Sequence, residues 1–333
     1  MLLNFVGKNP SNETCWRAII LQGKNTASYK FALARVLIDT QGSDTCIKIS
    51  DLAEPFSRHV TSHLLLNSKQ STAKNDGKFI RACKDFNKNI ITKEQLIEIT
   101  KKEGFKYVLD AFHNISRGEV PSRFFHADKQ SVTLTDSFYG LINGAQFKNL
   151  SNEVEARWRL WETAISLNIS TNNLVVSNDL QDNNLFVQID KRRRVDVTST
   201  RDALNGYQKG KCFYCNRDIT VLQGLDNSCD VDHFFPWSSD LPNVDGIWNL
   251  VLSCKNCNRW DKSNSVPNLK LVEKLYNRNN FYIESHHPLR ETIIRQTGSS
   301  ETDRKNFLNK YYNDALEKIP VIYNPTIVEE SLL

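Results

Sequence analysis

Four cysteines in two Cys-x-x-Cys pairs are the residues whose type and spacing most directly imply chemistry. The pairs are Cys212 with Cys215 and Cys254 with Cys257, and the second begins 39 residues (254 − 215) after the first ends. Thiolates bind Zn²⁺ tetrahedrally, and each Cys-x-x-Cys turn presents two sulfurs. Four sulfurs leave no open coordination position, so the pattern predicts a structural zinc site. The insert is longer than in a simple zinc ribbon, which indicates a substantial element held at both ends.

The insert between the pairs carries acidic, histidine and amide side chains in a suggestive order. Asp232-His233 ends a predicted strand, Asn249 lies in a second predicted strand, and Asn258 directly follows the last cysteine. A hairpin followed by a helix brings Asp232 and Asn258 to one side, with His233 nearby. This order of residue types fits a catalytic divalent metal beside the structural zinc.

This stretch resembles the HNH endonuclease family, the ββα-metal nucleases, in its zinc-framed form. The resemblance covers about residues 210–266. The matching residues are Cys212, Cys215, Asp232, His233, Pro236, Asn249, Cys254, Cys257, Asn258 and Lys262. Two features depart from the family pattern: Asn258 stands where many members have histidine, and the loop before Asn249 lacks the frequent Gly-Gly pair.

The resemblance implies a phosphodiesterase mechanism. In it His233 is the general base that takes a proton from water, a role suited to a neutral imidazole. Asp232 and Asn258 hold one catalytic cation, and oxygen ligands favour Mg²⁺ or Mn²⁺. Asn249 either orients His233 or braces the loop.

Three further residues near this motif are candidates for supporting roles. Asp230 lies two residues before Asp232 and hence on the same face of a strand. It is a candidate for an alternate metal ligand, or for a group that supports the ligands from behind. Arg259 and Lys262 are candidate contacts to nucleic-acid phosphates, and the resemblance favours Lys262.

A basic cluster precedes the cysteine motif. Residues 185–190 and 195–197 alternate in the manner of strands, and the turn between them is formed by four cations. They are Lys191, Arg192, Arg193 and Arg194. Two interpretations stay open: a solvated turn, or a contact to the nucleic-acid backbone.

The first 170 residues carry mainly helical patterns. Thr92 and Gln95 have capping-box spacing, 105–115 is predicted helical, and 124–135 alternates as a strand or hairpin. Packing rather than metal binding is predicted for the four histidines of this part, which are His59, His63, His113 and His126.

These patterns predict an α+β fold, mainly helical. We expect a helical N-terminal domain at residues 1–170 for specificity or partner binding and a hairpin or linker at 171–197. A nuclease domain with C-terminal helices follows at 198–320, and a tail at 321–333. After the motif, a helix is predicted from Pro267 to Leu275 and a short strand over residues 280–284.

Composition sets broad limits. The net charge of +5 permits nucleic-acid binding without requiring it. A membrane span is not expected because no run of about 18 apolar residues occurs, and the N-terminus does not resemble a signal peptide. The other four cysteines are scattered, which favours a reducing compartment and predicts a cytoplasmic protein.

The leading hypothesis is a metal-dependent endonuclease, with DNA favoured over RNA, acting in prokaryotic restriction or phage defence as the resemblance implies. One active site per chain predicts nicking, or double-strand cleavage by a homodimer. The N-terminal domain is a candidate site for a protein partner. Two alternatives stay open: a zinc-stabilised nucleic-acid-binding module without cleavage, and a regulatory subunit of a larger complex.

Overall fold

The computed structural model describes residues 5, 9–23, 25–115, 118–170, 173–190 and 193–328. They form two compact units, one ending at Ser170 and the other containing the described residues from 173 onward. Helices predominate over strands, so the prediction of a mainly helical α+β protein is confirmed. Among the described residues, no helix combines the length and apolar character needed to cross a membrane.

The N-terminal unit is built on helices whose apolar faces point inward. Its helices are α1 Asn12–Gln22, α2 Tyr29–Thr40, α3 Ile49–Leu66, α4 Lys78–Asn87, α5 Lys93–Ile99, α6 Val108–Ala111, α7 Asp136–Ile142 and α8 Phe147–Ser166. A π-helical segment, Thr100–Gly104, follows α5. Helix starts obey local chemistry: the Ser11 hydroxyl caps α1, and Thr92 with Gln95 forms the predicted capping box of α5.

Aromatic rings fill the core of this unit. Trp16 packs edge-on against Phe124 with ring centroids 5.2 Å apart, and Phe31 stacks on Trp158 at 6.0 Å. A buried ion pair crosses the same core, because Arg17 donates to both carboxylate oxygens of Glu153 at 2.7 and 2.8 Å. Rings of this size supply much of the apolar area that a core needs.

Short strands complete the N-terminal unit. They are β1 Cys46–Lys48, β2 Asn114–Ile115, β3 Gly118–Glu119, β4 Phe125–Ala127 and β5 Ser131–Leu134. The antiparallel sheet β1-β5-β4 confirms the predicted hairpin over 124–135. The predicted helix over 105–115 is wrong in extent, since only Val108–Ala111 is α-helical and Asn114–Ile115 pairs as a strand.

The C-terminal unit begins with a three-stranded antiparallel sheet. This sheet has the strands β6 Ser177–Asp179, β7 Asn184–Asp190 and β8 Arg193–Ser199. The unit continues with α9 Thr200–Gln208, β9 Asp230–His233, β10 Leu250–Ser253, β11 Val266–Pro267, α10 Leu269–Glu284, α11 Arg290–Thr297, α12 Glu301–Lys318 and β12 Ile322–Tyr323. The 3₁₀ turns Trp237–Ser239 and Ile247–Asn249 and the π-helical turn Cys257–Asp261 lie between them.

Three predictions in this unit need correction. Asn249 does not lie in the second strand, because it ends the 3₁₀ turn Ile247–Asn249 and β10 begins at Leu250. Residues 280–284 are the last turn of α10 and not a strand, because Phe281, Tyr282 and Ile283 all pack inside the unit and α10 continues through them. The helix predicted from Pro267 begins instead at Leu269, where the Asn268 side chain accepts a hydrogen bond from the Leu271 amide.

The segment after α12 returns to the cysteine-bearing part of the unit. Strand β12 pairs in parallel with β11, and the Val328 amide donates to the Cys215 carbonyl at 2.8 Å. The Tyr323 hydroxyl donates to the Cys257 sulfur at 3.4 Å. Residues 322–328 therefore fasten the end of the described chain across this region, and we refer to them as the clasp.

Candidate active site and metal centre

A two-stranded antiparallel hairpin positions the acidic and histidine side chains. In its register His233 lies opposite Leu250, Asp232 opposite Val251 and Asp230 opposite Ser253. Strand β10 is buried along its whole length, which fixes the pairing of β9. Side chains alternate along a strand, so both aspartates share one face.

The four cysteine sulfurs form one cluster. All four lie within 4.8 Å of one another and are buried, and the sulfurs of Cys215 and Cys254 are 3.8 Å apart. Tetrahedral zinc with Zn–S bonds of about 2.3 Å requires sulfur separations of about 3.8 Å. The donor set and its spacing therefore fit a metal ion such as zinc. Among the described residues, these four cysteines are the one group of three or more His, Cys, Asp or Glu side chains that lie close enough to share a metal ion.

Hydrogen bonds among the four thiols lower the pKa of two of them and raise the pKa of the other two. The bond with Cys212 lowers the pKa of Cys215 to about 6 and also lowers that of Cys254. The pKa values of Cys212 and Cys257 are raised by bonds to the other cysteines. A metal ion bound by all four sulfurs would require each of them as a thiolate.

Asp232 is held from inside the unit. Its Oδ2 accepts a 2.6 Å hydrogen bond from the Tyr214 hydroxyl and lies 3.1 Å from the Lys262 ammonium. Burial and the neighbouring Asp232 carboxylate raise the Tyr214 pKa well above its usual value, so the phenol stays a donor. Each carboxylate oxygen can accept more than one contact, so this anchoring leaves lone pairs for a cation.

Lys262 lies inside the site and does not present its ammonium at the surface. Its side chain is 4% exposed, and the ammonium also donates to the His233 carbonyl at 2.8 Å. One lysine therefore fixes both the Asp232 carboxylate and the end of β9.

His233 contacts the carboxylate of Asp245, which is not among the predicted site residues. Its Nε2 lies 2.9 Å from Oδ1 of Asp245, while 21% of the side chain remains exposed. A carboxylate on one imidazole nitrogen fixes the orientation of the ring. Asp245 lies in a polar loop with no local motif, so its partnership follows only from how the loop closes.

Asn249 closes that loop. Its amide is fully buried, accepts from the Phe235 amide at 2.9 Å and donates to the carbonyls of Phe235 and Val244 at 3.1 and 2.8 Å. All three bonds go to backbone atoms on the two sides of the loop. Val244 immediately precedes Asp245, so the Asn249 amide fixes the backbone that carries the carboxylate.

Asn258 and Arg259 meet at Asp230. The Asn258 amide donates to Asp230 Oδ2 at 3.1 Å, and Arg259 donates to both carboxylate oxygens at 2.9 and 3.2 Å. Burial alone would raise the Asp230 pKa, but the hydrogen bonds from Arg259 and Asn258 outweigh it and lower the pKa. The structure thus joins Asn258 to Asp230, and Asp232 to Lys262.

The basic cluster of the first hairpin is only partly described. Lys191 and Arg192 lie outside the described residues, and Arg193 is described only as backbone at the start of β8. The Arg194 guanidinium pairs with Asp179 and, at 2.8 Å, with Asp196, and it covers the Phe186 ring at 4.3 Å. Arg194 is therefore engaged within its own sheet.

The basic excess of the protein lies in a different segment, residues 67–107 of the N-terminal unit. This segment holds ten Lys and Arg against five Asp and Glu, a difference of +5 that equals the net charge of the whole chain. Lys78, Arg81 and Lys102 line a surface cleft of about 450 Å³ there, together with the carboxylates of Asp85 and Glu103. Counting charge segment by segment would have found this feature in the sequence.

Comparison with known families identifies the segment that contains the hairpin. Residues 212–278 match the family model described as HNH endonuclease, so the chain carries an HNH endonuclease domain there and the suspected resemblance is confirmed. No curated protein and no solved structure matches the chain significantly. An HNH domain supports a nuclease and a nucleic-acid substrate.

Proposed function

We propose that this protein is a metal-dependent endonuclease that hydrolyses phosphodiester bonds, with DNA preferred to RNA. The observation that carries the proposal is the His233–Asp245 pair beside Asp232, at the end of β9 within the HNH segment. A partly exposed imidazole backed by a carboxylate is the arrangement that general-base catalysis requires.

In this proposal His233 removes the proton from the attacking water. Asp245 holds the ring through Nε2, which leaves Nδ1 to face the substrate, and it stabilises the imidazolium that forms. Asn249 supports the pair indirectly, because its buried amide fixes the loop that carries Asp245.

Two metal centres with different roles complete the proposed site. The four cysteines hold a structural Zn²⁺, and Asp232 with Asn258 holds Mg²⁺ or Mn²⁺, with Asp230 as an alternate ligand. Both aspartates and the Asn258 amide offer the oxygen donors that such ions prefer, and Asp230 already touches Asn258. A bound hard cation polarises the scissile phosphate and neutralises charge on the leaving oxygen.

The N-terminal unit is proposed to hold the nucleic-acid backbone through its basic segment. Among the described residues, Arg81 and Lys102 have no carboxylate within ion-pair distance, so their charges are available to phosphates. Lys78 is 72% exposed and only loosely paired, with Glu103 at 3.5 Å. Target choice or a protein partner is assigned to the same unit.

We further propose a role in prokaryotic restriction or phage defence, which the resemblance implies, and a location in the cytoplasm, which the scattered cysteines favour. One active site per chain favours nicking by a monomer or double-strand cleavage by a homodimer. Plating phage on cells that express wild type or His233→Ala tests the role: equal plaque counts would remove it without affecting the proposed chemistry.

Cleavage assays with purified protein test the reaction. Supercoiled plasmid, modified DNA and RNA are each incubated with Mg²⁺ or Mn²⁺ and with wild type, His233→Ala or Asp245→Asn. We expect cleavage by wild type, a loss of about 10²-fold to 10⁴-fold for His233→Ala, and a smaller loss of about tenfold for Asp245→Asn, which keeps the fold and removes the charge.

Two other outcomes identify the alternatives. If wild type and His233→Ala bind nucleic acid equally and neither cuts it, the protein is a zinc-stabilised binding module. If cleavage appears only with a co-purified protein from the native host, the chain is a subunit of a larger complex.

The basic segment has its own test in the His233→Ala background, where binding is measured without cleavage. The double substitution Arg81→Glu with Lys102→Glu is compared with Lys129→Glu, which changes an exposed lysine outside the segment. We expect weaker binding and a plot of log Kd against log salt that is shallower by about two, since each lost phosphate contact removes about 0.9 from the slope. An unchanged slope would exclude this backbone contact.

A further inference from the structure

The six tryptophans divide sharply by exposure. Four are buried at 0 to 2% exposure, namely Trp16, Trp158, Trp161 and Trp248. The other two, Trp237 and Trp260, are 66% and 74% exposed. Both belong to the HNH segment. Leaving these large apolar side chains in water forgoes the stabilisation that their burial would give, and it leaves both rings accessible to a ligand.

Both exposed rings follow residues of the candidate site closely in sequence. Trp237 opens the 3₁₀ turn four residues after His233, and Trp260 lies in the π-helical turn two residues after Asn258. π-Helical turns occur frequently at functional sites.

Direct contacts fasten these two segments to each other. The Lys262 ammonium, two residues after Trp260, donates to the His233 carbonyl at 2.8 Å. The Ser238 hydroxyl, next to Trp237, donates to the Asn264 side chain. Both tryptophans therefore project from the fastened loops that border the acid-histidine site.

We infer that Trp237 and Trp260 stack on nucleobases next to the scissile phosphate, so that the favoured substrate has unpaired bases at the cut site. The inference rests on the proposed nuclease function and deepens it by naming the substrate class. Aromatic rings stack on any base, because every base has a π-face, and Arg259, 55% exposed, lies beside Trp260 as a neighbouring cation. In paired DNA the base faces are covered, so stacking selects single strands or locally opened duplexes.

Binding assays in the His233→Ala background test this inference. Fluorescence anisotropy gives Kd for a labelled single-stranded oligonucleotide and for the matching blunt duplex. The variants are Trp237→Ala and Trp260→Ala, each with its Phe counterpart, and Leu269→Ala as an exposed apolar control in the same unit. We expect each Ala variant to raise Kd for the single strand about tenfold, while the Phe variants and Leu269→Ala stay within about twofold of the parent.

Two further readouts distinguish stacking from a structural role. The two rings are exposed, so the Ala variants should unfold at the parent temperature. Oligonucleotide binding should quench tryptophan emission in the parent and quench it less in each Ala variant. In the cleaving protein, the Ala variants should raise KM on single-stranded substrate more than they lower kcat.

The possible failures are separable. If wild type cleaves nucleic acid but both Ala variants keep the parental Kd and KM, the stacking inference is wrong and the nuclease function stands. Equal weakening on single strand and blunt duplex would likewise reject unpaired bases as the target. If wild type neither cleaves nor binds any nucleic acid, the proposed function fails and takes this inference with it.

Discussion

Two histidine–carboxylate pairs, one in each unit, show how the same chemistry can serve opposite purposes. In the N-terminal unit His63 donates to Glu162 at 2.8 Å, its other nitrogen lies 3.3 Å from Glu155, and its ring stacks on Trp158 at 3.5 Å. In the C-terminal unit His233 meets Asp245 at 2.9 Å through one nitrogen. Among the described residues, no contact engages the second nitrogen of His233.

Exposure separates the two pairs. The His63 side chain is 5% exposed and Glu162 is fully buried, whereas His233 is 21% exposed and Asp245 48% exposed. A buried ring whose two nitrogens are both engaged by carboxylates serves to stabilise the fold. A ring with one nitrogen open to solvent can exchange a proton with a substrate. The available nitrogen, and not the carboxylate partner, marks the candidate catalytic histidine.

The largest effect should come from Cys254→Ser, which should change the stability of the C-terminal unit and not that of the N-terminal unit. Structural zinc sites contribute on the order of 10 kcal/mol in small metal-dependent folds, so losing one sulfur should unfold the C-terminal unit and leave the N-terminal unit folded. Calorimetry and zinc analysis measure this. Cys46→Ser, an exposed cysteine of the N-terminal unit, is the matched control. Unchanged melting and zinc content in Cys254→Ser would remove the structural role of the cluster.

Next in size is the contrast between the two histidines on activity. His233→Ala should lower kcat about 10²-fold to 10⁴-fold without lowering the melting temperature, because its ring is only partly buried. Parallel cleavage assays and thermal melts measure both quantities. A His233→Ala protein that unfolds early while keeping its activity would reverse the proposed assignment.

His63→Ala should do the opposite, destabilising the N-terminal unit by about 3 kcal/mol, since it leaves Glu162 buried with one partner fewer. Burial alone would lower the His63 pKa, but hydrogen bonds to Glu155 and Glu162 outweigh it and raise the pKa above 6.5. The stability that His63 contributes is therefore fully present below pH 6.5, and it is lost as the pH rises through the raised pKa of His63. Urea melts of wild type and variant at pH 6 and pH 8 should show the larger difference at pH 6.

A smaller and opposite pH effect is expected at His113. Burial lowers its pKa to about 3, and its Nε2 accepts a 3.0 Å hydrogen bond from the Phe124 amide. The unfolded chain takes up a proton near pH 6.5 and the folded chain does not, so stability falls as pH drops from 6.5 towards 3. The loss at pH 5 is about 2 kcal/mol. Urea melts of wild type and His113→Gln at pH 7 and 5 measure it, and identical pH slopes would contradict the burial effect.

Local signals in the sequence carried much of the fold. The Thr92–Gln95 capping box and the hairpin over residues 124–135 depend on residues a few positions apart, and both appear as predicted. The strand predicted over residues 280–284 is wrong, because a short apolar run such as 281–283 cannot separate the helical period from the strand period. The place of this run in α10 depends on packing against distant residues.

In the candidate site too, features that depend on local sequence are predictable and contacts between distant residues are not. The cysteine cluster follows from two local turns and a spacing, so the sequence predicts it. The partnership of Asp245 with His233, and of Lys262 with Asp232, depends on how a polar loop and a π-helical turn fold back on the hairpin. Such contacts between residues 12 and 30 positions apart leave no pattern in sequence.

The clasp has a consequence for the order in which the C-terminal unit is completed during synthesis. Residues 322–328 leave the ribosome after every other described residue of the C-terminal unit, yet they contact the backbone of Cys215 and the sulfur of Cys257. A vectorially growing chain can fold its N-terminal unit early, while the cysteine cluster stays without its cover until residues 322–328 are made. A chain that stops before residue 322 would therefore lack the contacts that cover the cysteine cluster, while every described residue of its N-terminal unit would be present.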